Sequence, residues 1–176
     1  MRDGIIKYSL QSRIMHWAIA FIMLSLLCSG LYMIDLPKDE SIKGTFYYFH
    51  KSFGMIVIPL AILRLVYRFA FNVPELPKTI GIINQVLSKF GVVLLYWFMF
   101  VIPMSGYMMS ITAGHPVEVF GLPIPSIISE NKELSAFFRS IHIQIWYFFL
   151  AMIAIHIFSS FKYLIYNKVN LFSRMW

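Results

Sequence analysis

Four long apolar stretches constrain this chain more than any other feature of its sequence. They cover about 14–34, 47–71, 90–111 and 141–166. A helix rises about 1.5 Å per residue, so roughly 20 residues cross a hydrocarbon core of about 30 Å, and each stretch is long enough to do so. Because 59% of the residues are hydrophobic and only 13% are charged, the composition is that of a protein that folds in lipid. The sequence therefore predicts an all-α integral membrane protein, with one domain over 1–176 that forms a four-transmembrane-helix bundle.

Two of the four stretches have a competing interpretation. The second has His50 and Lys51 near its start and Arg64 and Arg68 near its end, but arginine side chains near a helix end can reach the membrane surface. The first follows basic residues, as the apolar core of a cleaved signal peptide does. Its length of about 21 residues exceeds the usual core of about 7–15, so we expect it to be retained as a membrane span.

The distribution of lysine and arginine predicts the orientation in the membrane, because basic loops are retained in the cytoplasm. Ten of these residues fall on one side: Arg2, Lys7, Arg13, Arg64, Arg68, Lys78, Lys89, Lys162, Lys168 and Arg174. Five fall on the other side: Lys38, Lys43, Lys51, Lys132 and Arg139. Six of the eight acidic residues share this second side: Asp35, Asp39, Glu40, Glu118, Glu130 and Glu133. We therefore predict a multi-pass protein of the bacterial inner membrane with both termini in the cytoplasm. The net charge of +7 is assigned to topology and lipid contact rather than to nucleic-acid binding.

Four of the five histidines lie in the predicted spans, where ionisable side chains are costly and usually functional. His142 and His156 are 14 residues apart, which is about 21 Å of helix and about 40° short of four full turns, so both face nearly the same side. With the predicted topology, His142 shares the outer half of the membrane with His50, and His156 shares the cytoplasmic half with His16. The spacing therefore predicts two histidine pairs, each formed between facing helices at one depth.

A haem iron suits two imidazoles on separate helices, because it accepts one axial nitrogen on each face of a large apolar ring. The sequence has no Cys-x-x-Cys-His, which favours non-covalent b-type haem over attached c-type haem. A structural zinc ion usually needs four protein ligands close together. No second histidine, cysteine or carboxylate accompanies these histidines at a suitable spacing. A single histidine at a membrane interface, such as His16 or His50, is more often an ordinary interfacial residue than a haem ligand. The prediction of haem ligation therefore depends on the matched depths of the two pairs. His115 lies apart in a connection, where a loop role is expected.

Basic and small residues near these histidines have two interpretations each. Arg13, Lys51 and Arg139 lie within three residues of a proposed ligand, where they could pair with haem propionates or instead set topology and contact lipid headgroups. Gly54 and Gly106 lie in predicted spans, where a small residue lets a macrocycle or a neighbouring helix approach closely. The sequence does not choose between these interpretations.

Short motifs along nearly the whole chain resemble those of a known family. In the first half they are Tyr8-Ser9, Ile14-Met15-His16-Trp17, His50-Lys51-Ser52-Phe53-Gly54, Arg64-Leu65 and Arg68. In the second half they are Tyr96, Ile102-Pro103-Met104-Ser105-Gly106, Phe120-Gly121-Leu122-Pro123 and the spaced pair His142 and His156. Together they resemble the bacterial cytochrome b561 family, which is related more distantly to the cytochrome b subunits of nickel-iron hydrogenases.

The resemblance implies a set of haem ligands. In that family the matching histidines ligate two haems, one near each membrane face. We therefore expect His16 and His156 to bind the iron of a cytoplasmic-side haem b, and His50 and His142 to bind the iron of a periplasmic-side haem b.

The chain departs from the family pattern on the third stretch. Many members carry His-x-x-His before the tyrosine that matches Tyr96, whereas Lys89 and Val92 stand at those places here. The four expected ligands are complete without these histidines. The departure therefore bears only on a quinone or proton role that the extra histidines would have had.

The resemblance also implies a function, which is transmembrane electron transfer with ubiquinone as the mobile partner in the lipid. The family includes a superoxide oxidase of similar length and layout, which takes an electron from superoxide at the outer face and delivers it to ubiquinone. We therefore expect an enzyme of the superoxide:ubiquinone oxidoreductase type, in which Lys51 and Arg139 are candidates for steering superoxide. One alternative is a quinol-linked cytochrome or a membrane anchor that serves another periplasmic redox partner. An alternative of another class is an ion or metal transporter, although the spans offer few polar side chains between the two histidine levels.

Overall fold

A computed structural model of the chain describes residues 6–37, 41–71, 73–77 and 79–176. Its elements in order are α1 (Leu10–Asp35), α2 (Ser41–Ala70), α3 (Ile82–Thr112), β1 (Val117–Val119), β2 (Leu122–Ile124), α4 (Lys132–Tyr166) and a 3-10 turn (Leu171–Arg174). All four α-helices are long and apolar enough to cross a membrane. The prediction of a four-helix membrane protein is therefore confirmed. Five charged residues that entered the orientation argument lie outside the described residues: Arg2, Lys38, Asp39, Glu40 and Lys78.

The helices end within one residue of the predicted positions, but each begins before its apolar stretch does. They start at Leu10 rather than about 14, at Ser41 rather than about 47, at Ile82 rather than about 90, and at Lys132 rather than about 141. Hydropathy marks the part of a helix that lies in hydrocarbon, whereas the backbone hydrogen bonds continue until a side chain caps the free N–H groups. Asn131 does this for α4, because its Oδ1 accepts hydrogen bonds from the backbone N–H groups of Glu133 and Leu134 at 3.0 Å.

The connection between α3 and α4 contains a short β-hairpin, which the sequence did not predict. β1 and β2 pair antiparallel, and the turn between them passes through Phe120 and Gly121, whose φ angles of 50° and 85° are positive. Buried Ser52 of α2 fixes the hairpin to the bundle, since its Oγ donates to the Glu118 carbonyl and accepts from the Phe120 N–H, both at 3.2 Å. Strands of three residues are too short to show the alternating pattern that would have predicted them.

The four helices do not all pack against one another. α1 packs against α2, α2 against α3, and α3 against α4. In the described part of the chain, α4 has no extensive backbone contact with α1 or α2. Helix α4 therefore lies across the bundle from α1 and α2. These three helices carry the four histidines of the predicted pairs.

Buried apolar side chains from all four helices fill the middle of the bundle. They are Ile19, Met23, Val57, Ala61, Phe98, Met99 and Phe149. Phe149 lies on α4 seven residues from both His142 and His156, and its ring centroid is 5.5 Å from that of Phe98. An apolar core thus separates the two levels at which the histidines lie.

The segment before α1, from Tyr8, and the C-terminal turn lie at the same end of the bundle. The backbone N–H of Tyr8 donates to the Arg174 carbonyl at 3.0 Å, and Trp17 Nε1 donates to the Met175 carbonyl at 2.7 Å. The buried Arg174 guanidinium donates to the carbonyls of Pro74 and Glu75, which joins the C-terminal turn to the connection between α2 and α3. We name this end the termini side, and the opposite end, which carries β1 and β2, the hairpin side.

Candidate haem sites

His50 and His142 face each other near the hairpin side. His50 lies on α2, His142 lies on α4, and their ring centroids are 6.4 Å apart. Both side chains are largely enclosed by protein, and each is oriented by a neighbouring helix. We name these two residues the hairpin-side pair.

A serine and a glycine of α1 hold the His50 ring. The Ser29 hydroxyl donates its hydrogen to the Leu26 carbonyl at 3.1 Å, so its oxygen is left to accept from His50 Nδ1 at 3.2 Å. Gly30 permits this close approach, because a Cβ at that position would lie only 3.2 Å from His50 Cε1. With its proton on Nδ1 and donated to this oxygen, the ring leaves the lone pair on Nε2 free to bind a metal.

A second serine and glycine, on α3, hold the His142 ring in the same way. His142 Nδ1 donates to the Ile102 carbonyl at 3.0 Å and also lies 3.0 Å from Ser105 Oγ, whose own hydrogen is donated to Ile102 at 2.8 Å. A Cβ at Gly106 would lie 3.0 Å from His142 Cε1. A carbonyl can only accept, so this ring also has its proton on Nδ1 and a free Nε2. A hydrogen bond from the distal nitrogen to a carbonyl is the usual support of a metal-binding histidine.

His16 and His156 face each other near the termini side, and we name them the termini-side pair. Their ring centroids are 6.3 Å apart, with His16 on α1 and His156 on α4. Arg64 of α2 lies beside this pair, with Nη2 3.3 Å from His16 Nδ1 and Nη1 donating to the Ser12 carbonyl at 3.0 Å. A guanidinium only donates, so His16 Nδ1 accepts here and the neutral ring has its proton on Nε2. Binding a metal through Nε2 requires that proton to move, which makes this the less complete of the two pairs.

The distances within both pairs fit one metal ion bound between two imidazoles. A metal–imidazole bond is about 2 Å long and the ring centre lies about 1 Å farther away, so two rings on opposite sides of one ion have centres about 6 Å apart. The observed separations are 6.4 Å and 6.3 Å. Among the described residues, the helices that carry each pair make no extensive backbone contact with each other. The residues present therefore fit a haem at both levels.

The two pairs lie at different depths along one continuous helix. His142 and His156 are 14 residues apart within α4, which corresponds to about 21 Å. The structure thus brings together the residues that the spacing predicted, in the predicted combinations. Among the described residues, no group of three or more histidine, cysteine, aspartate or glutamate side chains could hold a metal ion, so the pairs do not resemble a zinc centre.

A known protein family matches nearly the whole chain. The family model described as Prokaryotic cytochrome b561 matches residues 7–176. The chain belongs to the prokaryotic cytochrome b561 family. It is also similar to a protein of Escherichia coli (strain K12) named Cytochrome b561 homolog 2, with 24% identity over 170 residues, which cover 96% of this chain and 90% of that protein. The resemblance inferred from the sequence motifs is confirmed.

Membership of the cytochrome b561 family defines the general role of the chain. It is a multi-pass bacterial membrane protein that transfers electrons by means of b-type haem. The ion or metal transporter that the sequence left open as an alternative has no support from this comparison.

The structure distinguishes among the basic residues that the sequence singled out in this cytochrome b561 chain. Nε of Arg13 is buried and has no hydrogen-bond partner among the described residues. Lys51 is half-buried and its Nζ lies 3.4 Å from the Pro116 carbonyl. Arg139 is exposed on α4, and His115 is exposed in the connection between α3 and β1. The loop position of His115 is confirmed.

Sequence reasoning missed most of the residues that orient the histidines. Ser29, Gly30 and Arg64 received no role near a ligand, and Ser105 entered only as part of a motif. A signal was present, because a Ser-Gly dipeptide occurs in both α1 and α3. Gly54, by contrast, has open space around its Cα among the described residues, so no neighbouring helix requires a glycine there.

Proposed function

We propose that this cytochrome holds two b-type haems, one between His16 and His156 and one between His50 and His142. The observation that carries the proposal is the recurrence of one geometry, with ring centroids 6.3 Å and 6.4 Å apart, at two depths of the same bundle. When bound, haem supplies a one-electron donor and acceptor at each level. The chain would supply the imidazole nitrogens that hold each haem, the side chains that orient them, and the apolar core between the two levels.

We propose further that the protein lies in the bacterial inner membrane with its hairpin side facing the periplasm. The termini, Arg64 and Arg68 share one end of the bundle, since Tyr8 lines the same cleft as both arginines. Basic residues that flank membrane spans are retained in the cytoplasm. The termini side is thereby the cytoplasmic side, and the hairpin-side pair lies near the periplasm.

The reaction proposed for this arrangement is the oxidation of superoxide coupled to the reduction of ubiquinone. Two superoxide ions each give up one electron and become two dioxygen molecules. Those two electrons, together with two protons, convert one ubiquinone to ubiquinol. Superoxide gives one electron at a time, whereas ubiquinone takes two. Two sites that each hold one electron could together store the pair that ubiquinone needs.

Lys51 is the residue proposed to attract superoxide. It follows His50 directly and lines a cleft of about 190 Å³ on the hairpin side, whose other lining residues are Gly44, Tyr47, Tyr48, Pro116 and Glu118. A cation at the mouth of a cleft raises the local concentration of a small anion. Arg139, which is exposed three residues before His142, is a second cation proposed to attract superoxide on the hairpin side.

Arg13 is proposed to bind a propionate of the haem held by the termini-side pair. It lies three residues before His16, hence on the same face of α1, and its Nε is buried without a partner among the described residues. A buried guanidinium nitrogen needs an acceptor, and a carboxylate gives the strongest bond. Lys51 and Arg139 are the corresponding candidates on the hairpin side.

Two measurements on the purified chain test the proposed function. Haem quantitation with a reduced-minus-oxidised spectrum should give two haems per chain with low-spin bis-histidine character. In proteoliposomes that contain ubiquinone, superoxide should then drive quinol formation. Lys51→Gln should slow this reaction at low superoxide, whereas Lys132→Gln, which removes an exposed lysine at the same end, should not.

The results also separate the alternatives. One haem per chain would contradict the paired sites. Two haems with no response to superoxide, but with quinol oxidation by another periplasmic partner, would favour a quinol-linked cytochrome or an anchor subunit.

A further inference from the structure

The two histidine pairs have chemically different polar neighbours. On the hairpin side the neighbours are neutral, namely the hydroxyls of Ser29 and Ser105 and the carbonyl of Ile102. On the termini side the neighbour of His16 is the guanidinium of Arg64. One pair therefore lies beside a fixed positive charge, and the other does not.

The Arg64 charge is held in place independently of the histidine. Nη1 donates to the Ser12 carbonyl at 3.0 Å, while Nη2 lies 3.3 Å from His16 Nδ1. This anchor keeps the guanidinium beside the ring whichever nitrogen of His16 has the proton. Because an arginine side chain remains protonated in proteins, the charge is permanent.

Among the described residues that line the cleft of Arg64, none carries a carboxylate that would offset its charge. Arg64 is half-buried and lines a cleft with Tyr8, Ser9, Ser12, Tyr67, Arg68, Phe71, Val73 and Tyr96. Among the described residues that line the cleft there is no aspartate or glutamate, and the second arginine adds positive charge. A partly buried charge is also screened less by salt than an exposed one.

The cations near the hairpin-side pair act more weakly. Lys51 points to the Pro116 carbonyl and shares its cleft with Glu118, which partly cancels its field. Arg139 is exposed, so water and salt screen its charge. The hydrogen bond from His142 Nδ1 to the Ile102 carbonyl makes that imidazole a stronger electron donor, which favours the oxidised form of a metal bound to it.

We propose that Arg64 is a positioning residue that raises the reduction potential of the termini-side site above that of the hairpin-side site, so that electrons run from the hairpin side to the termini side. The proposal rests on the two-haem function proposed above. Adding an electron lowers the charge of a site, and a nearby fixed cation stabilises the reduced form. One electron passed between the two levels would oxidise the hairpin-side site by one unit and reduce the termini-side site by one unit. No proton or further reactant is needed.

The test isolates one site and measures its midpoint potential. His142→Ala removes a hairpin-side ligand and should leave the termini-side component as the only low-spin component in the spectrum. In that background, Arg64→Gln should lower the reduction equilibrium constant of the remaining component by about tenfold, which is 59 mV for a one-electron couple. Arg64→Lys keeps the charge and should restore at least half of that change. Arg68→Gln is the matched control, since it removes a charge one helical turn away that has no contact with His16, and it should shift the potential much less.

A second measurement needs no change at Arg64. In a redox titration of the unsubstituted protein, the spectral component that His156→Ala removes should have a higher midpoint potential than the component that His142→Ala removes. The reverse order of potentials would overturn the proposal. It would also be overturned if Arg64→Gln left the midpoint potential of the His142→Ala protein unchanged, or if Arg64→Lys gave the same potential as Arg64→Gln. Failure of the two-haem function would appear differently, as fewer than two haems in the unsubstituted protein.

Discussion

Replacing Gly106 by alanine should weaken haem binding at the hairpin-side pair while leaving the termini-side pair intact. The new Cβ would lie 3.0 Å from His142 Cε1 and 3.2 Å from its Nδ1, whereas ordinary contact begins at 3.4 Å. The ring must therefore withdraw by about 0.4 Å, which carries the 3.0 Å hydrogen bond to the Ile102 carbonyl beyond the usual range of about 2.7–3.2 Å.

The size of the effect follows from two costs. Overpacking of a filled site costs about 1–3 kcal/mol, and the weakened hydrogen bond costs about 1 kcal/mol. The helical preference for alanine over glycine, about 0.5–1 kcal/mol, acts equally on the haem-free and the haem-bound protein, so it does not change the haem affinity. Without haem the imidazole is free to turn away from the Cβ, so a cost of about 2 kcal/mol or more falls on haem binding. Since about 1.4 kcal/mol corresponds to tenfold, haem affinity at this site should fall roughly 30-fold or more.

The assay is a haem titration of the haem-depleted protein, followed by its absorption spectrum. Gly91→Ala is the matched control on the same helix, because a Cβ there would meet only the flexible end of Met152, at 3.8 Å. Gly30→Ala should have a smaller effect than Gly106→Ala, since its Cβ would lie 3.2 Å from His50 Cε1. Equal affinities for Gly106→Ala and Gly91→Ala would refute the claim that the glycine is needed for close approach of His142.

Four further outcomes are expected. Alanine at either member of one histidine pair should remove or convert to high-spin the same spectral component and leave the other component in place; loss of one component from members of different pairs would contradict the pairing. His115→Ala should leave haem content unchanged, because this exposed loop residue lies beyond both pairs, and a lost haem in its spectrum would count against that assignment. Arg13→Gln should lower haem retention at the termini-side pair during purification, with Lys7→Gln, at an exposed position, as the control. Ser52→Ala should destabilise the β-hairpin by about 1–3 kcal/mol through two lost hydrogen bonds, which proteolysis within 117–124 would detect, and an unchanged cleavage rate would show that this serine does not anchor it.

The sequence by itself determined the class of the protein, the spans and the identity of the facing histidines. Span length and apolar composition are local properties that bilayer thickness fixes, so the four helices could be predicted within a few residues of most of their boundaries. The helical rise and rotation convert a separation of 14 residues into depth and direction. For that reason the sequence alone assigns His142 and His156 to two levels of the membrane.

Only the tertiary structure decided which atoms orient those histidines. Ser29 and His50 lie on different helices, as do Ser105 and His142, and their contacts depend on how those helices pack. Arg64 appeared in the sequence as a topology residue, because its distance to His16 is set by the approach of α2 to α1. The β-hairpin was hidden for a similar reason, since its short strands are held by Ser52 of a distant helix rather than by a pattern of their own. Local periodicity gives depth and facing direction along one helix, whereas hydrogen-bond partners across helices depend on the packing of the whole bundle.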